Sequence, residues 1–341
     1  MKKKILVIYT GGTIGMIQNP DTKALEPFEF KDIYSHLPML KLLNADIDFK
    51  SLLPLIDSSD TNPDFWIRLV KMIGDNYDNY DGFVILHGTD TMAYTASALS
   101  FLLENLSKPV ILTGSQLPLG VVRTDGRDNI VTAVEIASES VGDEPRIQEV
   151  CIYFENALFR GNRTYKANAE RFNAFASPNY HKMAKVGVSI TYNDNFIQKK
   201  EKQPLIVHTD LDANIALLKL YPGISTSLVS SVLSMPGLRG VVMETFGAGN
   251  APSSEEFLSL IKNASDNGIV ILSVSQCKDG GAVKMGLYGA SVGLDKGGVV
   301  SGADMTTEAA IAKMMYLFGT GMSSEKVKYW LQHPLRGEMT I

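Results

Sequence analysis

The sequence predicts an α/β protein of two domains. The larger N-terminal domain is a mostly parallel sheet flanked by helices, and a smaller α/β domain follows it. Three observations predict this. Short runs rich in Val and Ile recur without polar alternation, as expected for strands covered on both faces. Each run leads into a Gly/Ser/Thr/Asp loop and then a helical pattern, the order of a right-handed β–α–β crossover. A polar stretch, TYNDNFIQKKEKQP at 191–204, interrupts the rhythm before it resumes.

In chain order, the runs at 5–9, 52–56, 83–87, 110–113 and 150–154 read as strands. Asn62 before Pro63 is a helix start, with the helix covering 63–73. Met92, Ala96, Leu99, Leu103 and Leu106 form one helical stripe. After the polar stretch come a strand at 215–221, a helix at 225–235 and a strand at 240–244. Ser253 and Glu256 have capping-box spacing for a helix ending near Gly268. A strand at 269–274 and a helix at 306–318 follow. The expected organisation is a catalytic domain over 1–190, a linker over 191–208 and a second domain over 209–341.

Composition excludes several classes. The 341 residues are 45% hydrophobic and 20% charged, the balance of a folded globular chain. A net charge of −5 argues against a nucleic-acid partner. No apolar run approaches the ~18 residues of a membrane span. Lys2, Lys3 and Lys4 precede an apolar stretch too short for a secretory signal. Cys151 and Cys277 belong to no Cys-x-x-Cys pair, so both are expected to be reduced, packed thiols of a cytoplasmic protein.

Chemistry concentrates in four loops expected beyond the carboxyl ends of strands, where such folds bind ligands. They are Thr10-Gly11-Gly12-Thr13-Ile14-Gly15, Asp57-Ser58-Ser59-Asp60, Gly88-Thr89-Asp90-Thr91 and Thr113-Gly114-Ser115-Gln116. The glycine loop lacks the spacing of a dinucleotide fingerprint or a P-loop, which leaves a turn that presents the Thr13 hydroxyl. A threonine nucleophile needs an activating partner. No Gly-x-Ser-x-Gly elbow precedes any of the five histidines, and His87 ends a buried run, so it reads as a core histidine. A hydroxyl, lysine and carboxylate arrangement is the alternative. Thr89 and Asp90 supply two of its members, and Lys166 in Arg160-Gly161-Asn162-Arg163-Thr164-Tyr165-Lys166 is the candidate third.

TGGTIG at 10–15, DSSD at 57–60, HGTDTMAYTASALSF at 87–101 and RGNRTYKA at 160–167 together resemble the L-asparaginase family, most of all its bacterial cytoplasmic type I members. GAGNAP at 247–252, GADMTTEAA at 302–310 and LRGE at 335–338 extend the likeness along nearly the whole chain. The resemblance implies hydrolysis of asparagine to aspartate and ammonia without a cofactor or metal, by a homodimer or homotetramer. It implies Thr13 as the nucleophile forming an acyl-enzyme, with Thr89, Asp90 and Lys166 as the second catalytic group. The lid at 18–27 contains no tyrosine, so Tyr288 in MGLYGAS is the expected tyrosine hydroxyl. Gly12, Asp57, Ser58, Ser59, Gly88 and Ser115 are the expected substrate-binding positions. A non-catalytic amino-acid sensor would be expected to lack Thr13 or Lys166, and both are present. The asparaginase-like subunit of a tRNA-dependent amidotransferase would be expected to carry an extra N-terminal domain. Some cytoplasmic members bind a second asparagine, with a threonine before the lysine and an arginine just before the GxGNAP segment. Tyr165 and Glu244 stand at those positions here, so cooperative activation is not expected.

Overall fold

A computed structural model describes residues 2–18, 25–27, 37–199, 203–286 and 289–340. Tyr288 and most of the expected lid lie outside the described residues. The chain divides into two compact units, 1–209 and 210–341.

The first unit is built on eight strands: β1 (Lys3–Tyr9), β2 (Ala45–Ser51), β3 (Gly82–Leu86), β4 (Val110–Thr113), β5 (Val150–Phe154), β6 (Ala157–Arg160), β7 (Ala184–Val186) and β8 (Ile190–Tyr192). Their order is β8-β7-β6-β5-β4-β3-β1-β2. From β2 to β5 all pairings are parallel, while β6, β7 and β8 are added antiparallel. Every residue of β3, β4 and β5 is buried, which is why these strands read as unbroken apolar runs. Ile5, Val7, Val84, Leu86 and Ile111 pack with Ile130, Ala133 and Val134 of helix α3 (Gly126–Ser138) in one core. Burial of each such side chain stabilises by roughly 1.5–3 kcal/mol.

Several local expectations change. The strand before Asp57 is β2, not 52–56. It is an edge strand whose Asp46, Asp48 and Lys50 face solvent, so its apolar signal is diluted by alternation. Helix α1 (Pro63–Asn76) starts as read, with the Asn62 side chain accepting from Phe65 N. Helix α2 (Met92–Leu102) stops before Leu103 and Leu106, because Leu103–Glu104 pairs instead with Ile206–Val207. That pairing and β8 bring parts of the expected linker into the first unit.

The second unit is a four-stranded parallel sheet, β9 (Ile215–Lys219), β10 (Gly240–Thr245), β11 (Val270–Ser275) and β12 (Val300–Ser301), in that order. Five helices accompany it: α4 (Thr226–Leu233), α5 (Glu255–Asp266), α6 (Gly289–Lys296), α7 (Thr307–Gly319) and α8 (Ser324–Leu331). Helix α5 is capped by Ser254, whose hydroxyl accepts from Phe257 N; this one-residue shift puts Phe257 at the third helical position and removes the capping box. Cys151 is buried in β5, but Cys277 is exposed in the loop after β11 and is not a packed thiol. Among the described residues no helix is long and apolar enough to cross a membrane.

Candidate active site

The three loops after β1, β2 and β3 are stacked on one another by missing side chains. Gly12 has φ 83, a conformation that glycine adopts without strain, and a Cβ there would lie 2.6 Å from Gly88 Cα. A Cβ on Gly88 would lie 2.5 Å from Ser58 Oγ. Only glycines allow this approach, which brings Gly12, Gly88 and Ser58 together. The Thr91 hydroxyl donates to Ser58 O at 2.7 Å and lies 3.0 Å from the Thr61 hydroxyl, from which it can accept, and this fixes the second loop against the third. Asp57 caps the short turn Ser58–Asp60: its Oδ1 accepts from the Ser59 amide and hydroxyl at 2.8 Å each. These two donors hold the Asp57 carboxyl below the usual carboxylate range. Thr13 opens the turn Thr13–Gly15 directly after Gly12 and is partly exposed.

Lys166 reaches this crevice from the far end of the β5–β6 hairpin. Arg160, at the end of β6, makes a buried ion pair with Glu149 at 2.6 Å, and its carbonyl accepts the Thr164 hydroxyl at 2.7 Å. Tyr165–Lys166 then pairs with Phe175–Ala176. The result places Lys166 Nζ 2.8 Å from Thr89 Oγ1 and 2.6 Å from Asp90 Oδ1. The Lys166 side chain is 17% exposed and that of Asp90 65%, so the lysine is sheltered while the carboxylate is open to solvent. Asp90 Oδ2 has no protein partner among the described residues.

His87 lies behind the third loop as a core histidine, the residue being 1% exposed to solvent. Trp66 Nε1 can only donate, and it donates to Thr95 Oγ1 at 3.0 Å. The Thr95 hydroxyl therefore donates to His87 Nε2 at 3.0 Å, and His87 Nδ1–H donates to Gly88 O at 2.7 Å. Burial pushes the imidazole pKa down to about 4, so the ring is neutral and the tautomer fixed.

Ser115, in the loop after β4, is buried, and its hydroxyl donates to Leu117 O at 2.7 Å. Its neighbour Gln116 reaches the Lys166 cluster, with Oε1 3.4 Å from Thr89 Oγ1. The sequence reading placed Gln116 in the fourth loop but gave it no role in the site, and it left out Asp125 and Asn129, which hold that loop. Asp125 accepts from the amides of Gln116 and Leu117, and Asn129 Nδ2 donates to Gly114 O at 2.9 Å. The spacing of the two at the start of α3 was the one available signal. Among the described residues no group of three or more His, Cys, Asp or Glu is placed to hold a metal.

A two-domain α/β fold with a lysine–threonine–carboxylate cluster at the strand ends is the architecture of an amidohydrolase family. The sequence pattern of the asparaginase N-terminal domain matches residues 4–198, and that of the glutaminase/asparaginase C-terminal domain matches residues 214–331. The chain is 42% identical to L-asparaginase 1 of Escherichia coli K12, covering 99% of this chain and 98% of that one. It is also 42% identical to the mouse 60 kDa lysophospholipase, covering 100% of this chain but spanning only 63% of that protein's length. The crystal structure of L-asparaginase I from Vibrio cholerae superposes with a TM-score of 0.91 at 41% identity, covering 100% of both chains. The chain belongs to the asparaginase family.

Proposed function

We propose that the protein hydrolyses L-asparagine to L-aspartate and ammonia in the cytoplasm, as a homodimer or homotetramer, through an acyl-enzyme on Thr13. The observation that carries this reading is Lys166 Nζ within 2.8 Å of Thr89 Oγ1 and 2.6 Å of Asp90 Oδ1, with Gly88, next to Thr89, packed on Gly12, next to Thr13. In the first step Thr13 Oγ attacks the side-chain amide carbon, the C–N bond breaks, and ammonia leaves with the threonine proton. In the second, water attacks the ester, releasing aspartate and returning the proton to Thr13. The Thr89 hydroxyl and Lys166 form the proton path for both steps, a contribution of roughly 10²–10⁴ in rate. Asp90 Oδ2 pairs with the substrate ammonium. Ser58, joined by the Ser59 hydroxyl once it turns from Asp57, holds its α-carboxylate, with Gly12 and Gly88 letting the loops that carry Thr13, Ser58 and Thr89 pack together. Tyr288 is the residue assigned the tyrosine hydroxyl of the reaction. The scheme requires no cofactor.

The test is ammonia release from asparagine by the full chain and by Thr13→Ala and Lys166→Met. Each variant is expected to lose roughly 10²-fold or more in kcat while remaining folded. A variant that keeps above a tenth of the wild-type kcat removes that residue from the scheme. The identity to the mouse lysophospholipase favours a second reading, ester hydrolysis through the same acyl-threonine. Fatty-acid release from lysophosphatidylcholine, measured beside ammonia release, decides between them.

A further inference from the structure

The loop that follows Lys166 does not hold itself against the site. Ala167 N and Asn168 N both donate to Ala174 O, at 2.7 and 3.1 Å, and Asn168 Oδ1 accepts from Glu170 N and Arg171 N at 2.8 Å each. These bonds, with the Tyr165–Lys166 pairing to Phe175–Ala176 at its ends, close residues 167–174 into a turn. Among the described residues, the side chain that reaches this turn from the loop after β4 is Gln116. Nε2 donates one hydrogen to Ala169 O and the other to Arg171 O, at 3.0 Å each. Two carbonyls on one side leave no ambiguity in the amide's orientation, since only the nitrogen can face both. Oε1 must then point the other way, where it lies 3.4 Å from Thr89 Oγ1.

That hydroxyl has two neighbours of opposite character. Lys166 Nζ is 2.8 Å away and, as an ammonium, can only donate to it. Thr89 therefore directs its own proton to Gln116 Oε1. Gln116 is itself braced: the Asp125 carboxylate accepts from its amide at 3.1 and 3.0 Å and from Leu117 N at 3.1 Å. Asn129 Nδ2, within 3.3 Å of the same carboxylate, fixes the base of this loop through Gly114 O.

We infer that Gln116 is a positioning residue, which clamps the turn after Lys166 and sets the direction of the Thr89 hydroxyl. The inference rests on the proposed asparaginase reading. It makes Gln116 act through Thr89 and Lys166, not through the substrate, so its loss slows the chemical step and leaves substrate binding alone. The experiment compares the full-length wild type with Gln116→Met, which removes donors and acceptor, and Gln116→Glu, which keeps the shape but cannot donate to two carbonyls. Steady-state ammonia release from asparagine is measured together with amide hydrogen exchange over 167–174. Both variants are expected to lose roughly 10- to 100-fold in kcat with KM within about threefold of wild type. Glu170 and Arg171 are expected to exchange faster. A folded variant with kcat within about threefold of wild type overturns the inference, as does a loss confined to KM or unchanged exchange in the turn. Wild-type protein that releases no ammonia refutes the asparaginase reading itself, and that result needs no variant.

Discussion

The neutral imidazole behind the site makes stability in the first unit depend on pH in a way that can be calculated. His87 has its pKa lowered from 6.5 to about 4, chiefly because burial disfavours the cation. In the unfolded chain it titrates normally. Between these values the unfolded state binds a proton that the folded state refuses. The contribution is therefore complete above about pH 6.5, falls as pH drops through the window, and stops changing below about pH 4. At about 1.4 kcal/mol per pH unit, the full loss is about 3 kcal/mol. Protonation would also place an Nε2–H against Thr95 Oγ1, so the Thr95 hydroxyl must turn its own proton away from the ring, while Nδ1–H still donates to Gly88 O. The chain's two tryptophans are Trp66 and Trp330, and Trp66 is buried in the first unit. A Trp330→Phe background makes its fluorescence a reporter of that unit alone, which avoids treating two units as one transition. Urea unfolding from pH 7 to pH 4.5 is compared with and without His87→Gln. The variant is less stable at pH 7, but its stability should decline less steeply below pH 6.5. Equal slopes in the two proteins would refute the reasoning.

Three further outcomes are expected. Lys313 and Glu338 form a fully buried ion pair at 2.6 Å in the second unit, so Glu338→Gln strands a buried ammonium and should cost about 3–5 kcal/mol, whereas Lys313→Met with Glu338→Leu should cost far less. Urea unfolding followed by Trp330 in a Trp66→Phe background measures both; a single variant costing under about 1 kcal/mol contradicts the pairing. Glutamine should have a kcat/KM at least roughly tenfold below that of asparagine, because one methylene in a fixed pocket discriminates by about 1–3 kcal/mol and also misplaces the amide carbon; equal values for the two amides refute this. Initial rates across a wide asparagine range should be hyperbolic. Glu244 is buried, and its carboxylate is taken by Lys219 at 2.8 Å, Lys278 at 3.9 Å and the Thr307 hydroxyl at 2.6 Å, so this position carries an anion that occupies its neighbouring cations and not an arginine to hold an effector's carboxylate. A Hill coefficient clearly above ~1.5 is the contrary result.

What the sequence revealed and what it concealed divide along the range of each interaction. Strands β3, β4 and β5 are buried on both faces, so their character is carried by their own residues, whereas the edge strand β2 alternates with Asp46, Asp48 and Lys50 and gives a weaker signal. Asn62 and Asp125 show the same division at two helix starts. The Asn62 side chain accepts from Phe65 N, three residues on, so a local rule finds α1. Asp125 precedes α3 but caps none of its amides; its carboxylate is taken by Gln116 and Leu117, so the local rule fails and the helix goes unread. That same diversion of a capping residue holds Gln116 beneath Thr89. The site follows this logic throughout. Each loop was legible as a strand end rich in hydroxyls and carboxylates, because loop composition is local. That Lys166 lies against Thr89 and Asp90, 77 and 76 positions away, is set by the buried Arg160–Glu149 pair and the short Tyr165–Lys166 pairing with Phe175–Ala176. Neither has a signature in the residues beside Lys166. The interactions hardest to see in the sequence are thus those that bring the reacting groups together, and the Gln116 clamp belongs to that set.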